Sequence, residues 1–265
     1  MPRMMDLRGL LIDLDGVVYT GRQAIAGAPE FLGEARRRGM PFLLVTNNST
    51  APPEEVAQRL AGMGIQVNPE EILTSAQAAM AYVRAHSDGR ARVLVVGEAG
   101  LTTAAQSEGL EVGEDGADWV VAGLDRGFDY QKLARATRAI RGGARFVASN
   151  ADALLPIEGG EVLPGAGSIV AAIRAATGVE PVVVGKPEPA MFEAGLAKLG
   201  GLQPGEVAMI GDRLDTDIDG GRAAGLRTIL VLTGVTTRTL LSTATSVQPD
   251  AVADDLAGVS EMLGW

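Results

Sequence analysis

Four groups of polar residues in this chain stand where apolar runs stop. The first is LLIDLDGVVY, in which Asp13 and Asp15 close an apolar run with one residue between them. In a strand, residues i and i+2 share a face, so both carboxylates can turn toward one point as the chain leaves a sheet. Two carboxylates so placed repel each other and need a compensating cation, which favours a metal site over two acids easing a strand into a turn at Gly16. The second group is LLVTNNST, where Thr46, Asn47 and Asn48 follow Phe42–Val45. Their hydroxyl and amide groups can donate to a bound oxyanion without adding charge; an Asx-type turn capping the next helix accounts for them equally well. The third is VVVGKPEP. Lys186 is one of three lysines against 20 arginines, and a compact ammonium at a strand end suits a phosphate contact, with Pro187 and Pro189 stiffening the loop after it. The plainer alternative is a surface lysine. The fourth is VAMIGDRLDTDIDGG, with Asp212, Asp215, Asp217 and Asp219 after Gly211. Asp212 is suited to join Asp13 around a hard cation such as Mg²⁺, whereas Asp219, and with it Asp215, reads as an acid favoured at a helix start.

The elements that must position these groups alternate along the chain. Short β-branched runs predict strands at 9–14, 41–45, 92–96, 119–122, 145–148, 181–184, 207–210 and 228–232. Helical periods predict helices over 29–38, 53–63, 130–141, 168–177 and 189–199, and the C-terminal stretch 249–265 reads as a final strand and helix. That order is the pattern of an α/β protein, a Rossmann-like parallel sheet covered by helices. Glycines cluster where strands give way to helices, the edge at which open α/β sheets build ligand sites. The acidic, Gly-rich segment 108–118 reads as a surface loop, VVGEAGL as a structural strand-to-helix turn without the full dinucleotide fingerprint, and His86 as a surface histidine.

Composition narrows the chemistry. The chain has 265 residues, 23 basic and 33 acidic side chains, no cysteine and one histidine. Disulfides, thiolate metal sites, cysteine nucleophiles and multi-histidine centres are excluded. The net charge of −10 disfavours a nucleic-acid polymer as partner. No apolar run approaches the ~20 residues that span a bilayer, and the N-terminus lacks a cleavage pattern, so a soluble cytoplasmic protein with no membrane partner is expected.

The four groups in this order resemble the motifs of the haloacid dehalogenase superfamily of aspartate-nucleophile phosphatases. DLDGVVY, VTNNST, SNAD, LPGAG, VGKPEP and IGDRLDTDI resemble more narrowly the NagD-like and p-nitrophenylphosphatase branch. The resemblance implies that Asp13 is nucleophile and Mg²⁺ ligand, and that Asp15 is the general acid/base and binds Mg²⁺ through its backbone carbonyl. It implies that Thr46, Asn47 and Lys186 hold the phosphoryl group, and that Asp212 is the remaining carboxylate on Mg²⁺. It implies that Asp217, with Asn48, supports these residues from behind. The interval between Thr46 and Lys186 is too long for one crossover and carries a βαβα pattern of its own. By resemblance it is an inserted type IIA α/β cap over 84–180, with the catalytic core at 1–83 and 181–265.

The activity so implied is Mg²⁺-dependent hydrolysis of small phosphomonoesters, such as sugar phosphates or nucleoside monophosphates, through an aspartyl-phosphate. Relatives acting on pyridoxal phosphate carry a cap histidine where this chain has Leu154 and Leu155, which implies a more apolar or less selective leaving-group contact. Two alternatives stay open: a phosphomutase on the same core, and a non-catalytic sensor of a phosphate ligand. The short interval from Asp15 to Thr46 leaves no room for the small helical cap usual in the mutases, and a sensor has no use for Asp15. A dehalogenase is disfavoured because it needs neither the second acid nor a metal. Cap-mediated homodimers are known in the family, so a homodimer is compatible with the resemblance.

Overall fold

The computed structural model describes residues 6–156, 161–243 and 248–265. Residues 1–5 of the N-terminal stretch and 157–160 of SNADALLPIEGG lie outside them. The chain divides into two compact units, one of residues 1–46, 56–73 and 186–265, the other of residues 47–55 and 74–185.

The first unit is built on a six-stranded sheet in the spatial order Ala251–Ala253, Arg227–Val231, Val207–Gly211, Gly9–Asp13, Phe42–Thr46, Ile72–Thr74. The pairings from Ala251–Ala253 across to Phe42–Thr46 are all parallel. GLLID, FLLVT and VAMIG are buried at every position. Such continuous apolar runs are what strands covered by helices on both faces require. The first strand in the chain lies in the middle: the next strands add on one side and the late strands on the other. The sheet therefore has a topological switch point beside Gly9–Asp13, where the loops at the carboxyl ends diverge and leave a crevice. Helix Ala28–Arg37 packs on the C-terminal helix Leu256–Leu263, and the Phe31 and Trp265 rings meet at 5.1 Å.

The second unit has its own parallel sheet, in the order Val182–Val183, Arg145–Ala148, Trp119–Ala122, Arg92–Val96, Glu111–Val112. Val120, Phe146, Ile140, Ile169 and Ile173 are among its buried core. Glu111–Val112 is a correction to the loop expected over 108–118: the segment reaches back to pair with Arg92 and Val93. Both residues are exposed on an edge, so they lack the apolar signature of a strand. VVGEAGL is the expected turn between Arg92–Val96 and helix Ala99–Ser107. His86 is exposed at the end of helix Ser75–Ala85, with its ring stacked on Tyr82 at 4.0 Å. The insertion expected over 84–180 falls inside this unit. Helix Ser75–Ala85 joins it by packing on Ala99–Ser107, and Val182–Val183 joins it by pairing with Arg145–Ala148. Among the described residues no helix is long and apolar enough to cross a membrane.

Candidate active site

Strand ends in the first unit position the site. Asp13 is the last residue of Gly9–Asp13, and Thr46 the last of Phe42–Thr46; their register pairs Asp13 with Val45. On the other side Ile12 pairs with Ile210, so Gly211 falls beside Asp13 and Asp212 one step beyond. Lys186 opens the segment that brings the chain back into this unit. Asp217 comes from a single π-type turn, Leu214–Ile218, in which the Asp217 and Ile218 N–H groups both reach the Arg213 carbonyl at 3.2 Å. Such turns are rare and recur at functional sites.

Carboxylate oxygens of Asp13, Asp212 and Asp217 lie within 4.8 Å of one another, and all three residues are buried. Lys186, also buried, donates from Nζ to Asp13 Oδ1 at 2.5 Å and to Asp217 Oδ1 at 2.7 Å. Asp217 Oδ2 accepts from the Arg213 N–H at 3.1 Å. Asp212 Oδ2 accepts from the Val235 N–H at 2.6 Å, while Asp212 Oδ1 is buried with no hydrogen-bond partner. A buried anionic oxygen without a donor is costly. Together with an all-carboxylate donor set around it, that orphaned oxygen fits a hard divalent cation, which takes oxygen ligands.

The protonation energetics agree with that reading. Burial, reinforced by the charges of Asp217 and Asp212, holds the Asp13 carboxyl well above the usual range despite the opposing Lys186 ammonium. Asp212 is pushed up to about 6, first by burial and then by Asp217, with the Val235 N–H and Lys186 opposing. Burial works against the Lys186 ammonium, but Asp13 and Asp217 outweigh it and keep the lysine charged. Carboxylates crowded into a buried volume resist ionisation until positive charge joins them.

The Asp15 side chain lies outside this acidic cluster. It keeps a solvent-accessible flank, and its Oδ2 accepts from the Tyr19 hydroxyl at 2.9 Å. The protein around it raises its pKa, against the Tyr19 hydrogen bond and the Arg59 charge. Asn47 and Asn48 belong to the second unit. Asn47 donates from Nδ2 to Asp152 at 3.1 Å, and its carbonyl accepts from Ser75 Oγ and Asn150 Nδ2. Asn48 Oδ1 accepts from both the N–H and the hydroxyl of Thr50, which is the Asx-type turn. Asp215 is exposed and paired with Arg213, and Asp219 opens helix Asp219–Ala223.

The motif reading overlooked the loop after strand Arg227–Val231. Thr236 N–H donates to the Asp212 carbonyl at 3.1 Å, Val235 N–H holds the Asp212 carboxylate, and Thr233 donates its hydroxyl to the Gly16 carbonyl at 2.6 Å. This loop ties the first and fourth motifs together. Its only sequence signal is one more glycine after an apolar run, in ILVLTGVTT.

Comparison with known proteins decides the family. The haloacid dehalogenase-like hydrolase profile matches residues 10–111 and a HAD-hydrolase-like profile matches residues 183–259. This chain is a member of the haloacid dehalogenase-like hydrolases. It is 42% identical over 235 residues to the 5'-nucleotidase YutF of Bacillus subtilis, covering 89% of this chain and 91% of that one. It is 45% identical over 235 residues to the acid sugar phosphatase of Staphylococcus aureus, covering 88% and 90%. The structure of the glycerol phosphate phosphatase Rv1692 from Mycobacterium tuberculosis in complex with magnesium superposes with a TM-score of 0.88 at 40% identity. That match covers 98% of this chain and 78% of the other. Within the family the chain is a phosphatase, a phosphoric monoester hydrolase of the NagD and p-nitrophenylphosphatase kind. Its acidic cluster is of the type with which such phosphatases use a divalent metal. Three relatives of similar closeness carry the names of three different substrates.

Proposed function

We propose that this HAD-family phosphatase hydrolyses small phosphomonoesters with Mg²⁺, using Asp13 as nucleophile and Asp15 as general acid and then base. The observation that carries the proposal is the unpartnered, buried Asp212 Oδ1 beside Asp13, with Lys186 bridging Asp13 and Asp217. Asp13, Asp212 and the Asp15 carbonyl would hold the metal, which when bound offsets the charge of the phosphoryl oxygens. Asp13 attacks phosphorus in line with the ester oxygen, so that a P–O bond forms on the carboxylate as the bond to the leaving oxygen breaks. Asp15 gives the leaving oxygen its proton, then takes one from the water that hydrolyses the aspartyl-phosphate. Lys186 and Thr46 hold the phosphoryl oxygens, and Asp217 keeps Lys186 in place; the hydrogen bonds and the burial of Lys186 support that division of labour. The 47–55 and 74–185 unit is assigned the role of the cap, and with it the choice of leaving group. Nucleoside monophosphates, sugar phosphates and glycerol phosphate are the substrate classes that the relatives' names bring forward.

The test is phosphate release from those three classes and from p-nitrophenyl phosphate, with Mg²⁺ and then with excess chelator. Metal-dependent release, absent in Asp13→Asn, is the expected result. Release that survives the chelator would overturn the metal assignment, and full activity in Asp13→Asn would overturn the nucleophile.

A further inference from the structure

The chain leaving Asp13 does not run straight into the next helix. Leu14 accepts backbone bonds from Val17, Val18 and Tyr19, and Gly16 N–H closes on the Tyr19 carbonyl at 2.8 Å. The loop folds back on itself, and the two-stranded pairing of Tyr19–Thr20 with Gln23–Ala24 fixes its far end. Tyr19 is thereby returned to Asp15, four residues earlier. Its ring is buried, and its hydroxyl donates to Asp15 Oδ2 at 2.9 Å. Arg59, from helix Pro53–Ala61, lies with its guanidinium 5.5 Å from the Tyr19 ring centre, and its Nη2 is 3.4 Å from the Tyr19 hydroxyl. The phenol is therefore held from two sides, by its hairpin backbone and by a cation over its face.

We propose that Tyr19, steadied by Arg59, is a positioning residue that decides which oxygen of Asp15 carries the proton delivered to the leaving group. A phenol donating to Oδ2 reserves that oxygen as acceptor in both protonation states of Asp15. The transferable proton must then sit on Oδ1, and the carboxyl plane is fixed by the Tyr19 bond. During cleavage the Oδ1–H bond breaks, its proton passes to the ester oxygen, and that oxygen keeps the electron pair of the broken P–O bond. The charge left on Asp15 is met by the phenol already in place. This inference rests on Asp15 being the general acid.

The experiment is single-turnover release of the leaving group, which reads the acid step alone, from an alkyl ester such as glycerol phosphate and from p-nitrophenyl phosphate. A nitrophenolate leaves with little protonation, whereas an alkoxide does not. Tyr19→Phe keeps the ring and loses only the hydroxyl. It is expected to slow the alkyl ester by about tenfold or more and the nitrophenyl ester by less than about twofold, because a hydrogen bond to a charged group is removed from one step only. Arg59→Met, at an exposed position outside the core, is expected to give a smaller loss with the same alkyl preference. Asp15→Asn serves as the reference. If Asp15→Asn shows the alkyl preference and both Tyr19→Phe and Arg59→Met slow the two esters equally, or neither, the role of Tyr19 is overturned while the reading of Asp15 stands. If Asp15→Asn itself shows no preference, the reading of Asp15 fails first.

Discussion

Gly16 and Gly27 offer a controlled test of the metal site, because their φ angles are nearly the same and their surroundings are not. Gly16 has φ +82 and Gly27 φ +84, both in the left-handed region. A Cβ at Gly27 meets nothing within 4 Å, whereas a Cβ at Gly16 would stand 2.5 Å from Asp212 Oδ2 and 3.1 Å from the Gly234 Cα. In Gly27→Ala the cost is that of an alanine in left-handed backbone, about 1–2 kcal/mol, partly offset by about 0.4–1 kcal/mol from a stiffer unfolded chain. The net of about 1 kcal/mol lowers Tm by roughly 2–4 °C for a chain of this size. Gly16→Ala bears the same strain and must also push Asp212 aside. Asp212 cannot yield freely, since its carboxylate is bound to the Val235 N–H and its carbonyl to the Thr236 N–H. Losing one such buried bond adds about 1–3 kcal/mol. The assay is thermal unfolding at increasing Mg²⁺, because a ligand that binds only the folded state stabilises it by about 2.7 kcal/mol at a concentration of 100 Kd. Wild type and Gly27→Ala should show the same rise in Tm with Mg²⁺, displaced by a constant amount. Gly16→Ala should start lower and rise little, with a Kd weakened at least about tenfold. Identical Mg²⁺ responses in the two variants would refute the reasoning, since only one of them disturbs Asp212.

Other outcomes rest on the same geometry. Asp217→Asn should lower kcat by about ten- to a hundredfold: the amide can accept from Lys186 or from the Arg213 N–H but not from both, and a bond to the lysine that is lost or turned costs about 1.5–3 kcal/mol; an unchanged kcat would remove Asp217 from the site's working parts. Asp13→Asn should abolish turnover yet melt no lower than wild type in chelator, because burial and two neighbouring carboxylates disfavour the Asp13 charge when no cation is bound; a fall of several degrees would contradict that accounting. Glu71 supplies a pH dependence. Burial pushes its carboxyl up, but the Arg36 hydrogen bonds, the Asn68 N–H and the Arg36 charge together hold it below 4.5. A depressed folded-state pKa contributes stability that is present above the unfolded value and lost as pH falls through the folded one. Glu71→Gln should therefore cost no more than about 1 kcal/mol at neutral pH, and the gap to wild type should close below pH 4.5; a constant gap down to acid would mean the charge is idle.

The parts of this molecule that could be read from sequence are those in which one physical signal suffices. A strand buried on both faces must be a continuous apolar run, so GLLID, FLLVT and VAMIG announced themselves, and the polar residues ending each run had to lie at one edge of a parallel sheet. Arg92–Val96, Trp119–Ala122 and Arg145–Ala148 were legible for the same reason. Elements with little apolar contrast were not. Ile72–Thr74 is three residues long, the helices Ser75–Ala85 and Ala99–Ser107 are rich in alanine, and Glu111–Val112 is an exposed edge. The acids of the site were visible as residue types, but the partners that orient them were not. Val235 and Thr236 act on Asp212 through backbone N–H groups, which have no sequence signature. Tyr19 meets Asp15 because a loop of backbone bonds folds back at Gly16, and nothing in the spacing of the two residues requires that.

Charge balance links the metal to the substrate more tightly than the contacts alone suggest. With all four groups ionised, Asp13, Asp212 and Asp217 against Lys186 leave a net charge of −2 in a buried volume. Into that volume a phosphomonoester brings about two more negative charges near neutral pH. Protonation relieves the excess in part, as the upward shifts of Asp13 and Asp212 record, but a protonated Asp13 is no nucleophile. A second lysine would also relieve it, yet the chain has only Lys132 and Lys198 besides Lys186. Lys132 is committed to Asp125, and Lys198 donates to the Ile72 carbonyl. A divalent cation at the orphaned Asp212 oxygen would offset two of these charges without protonating Asp13, the proposed nucleophile. On the proposed mechanism, metal and phosphate ester would bind with positive coupling: each would raise the affinity for the other, and by linkage the two factors would be equal. Asp217 would contribute to that coupling from the protein side, since it accepts from Lys186 and its charge adds to the excess that a cation would relieve.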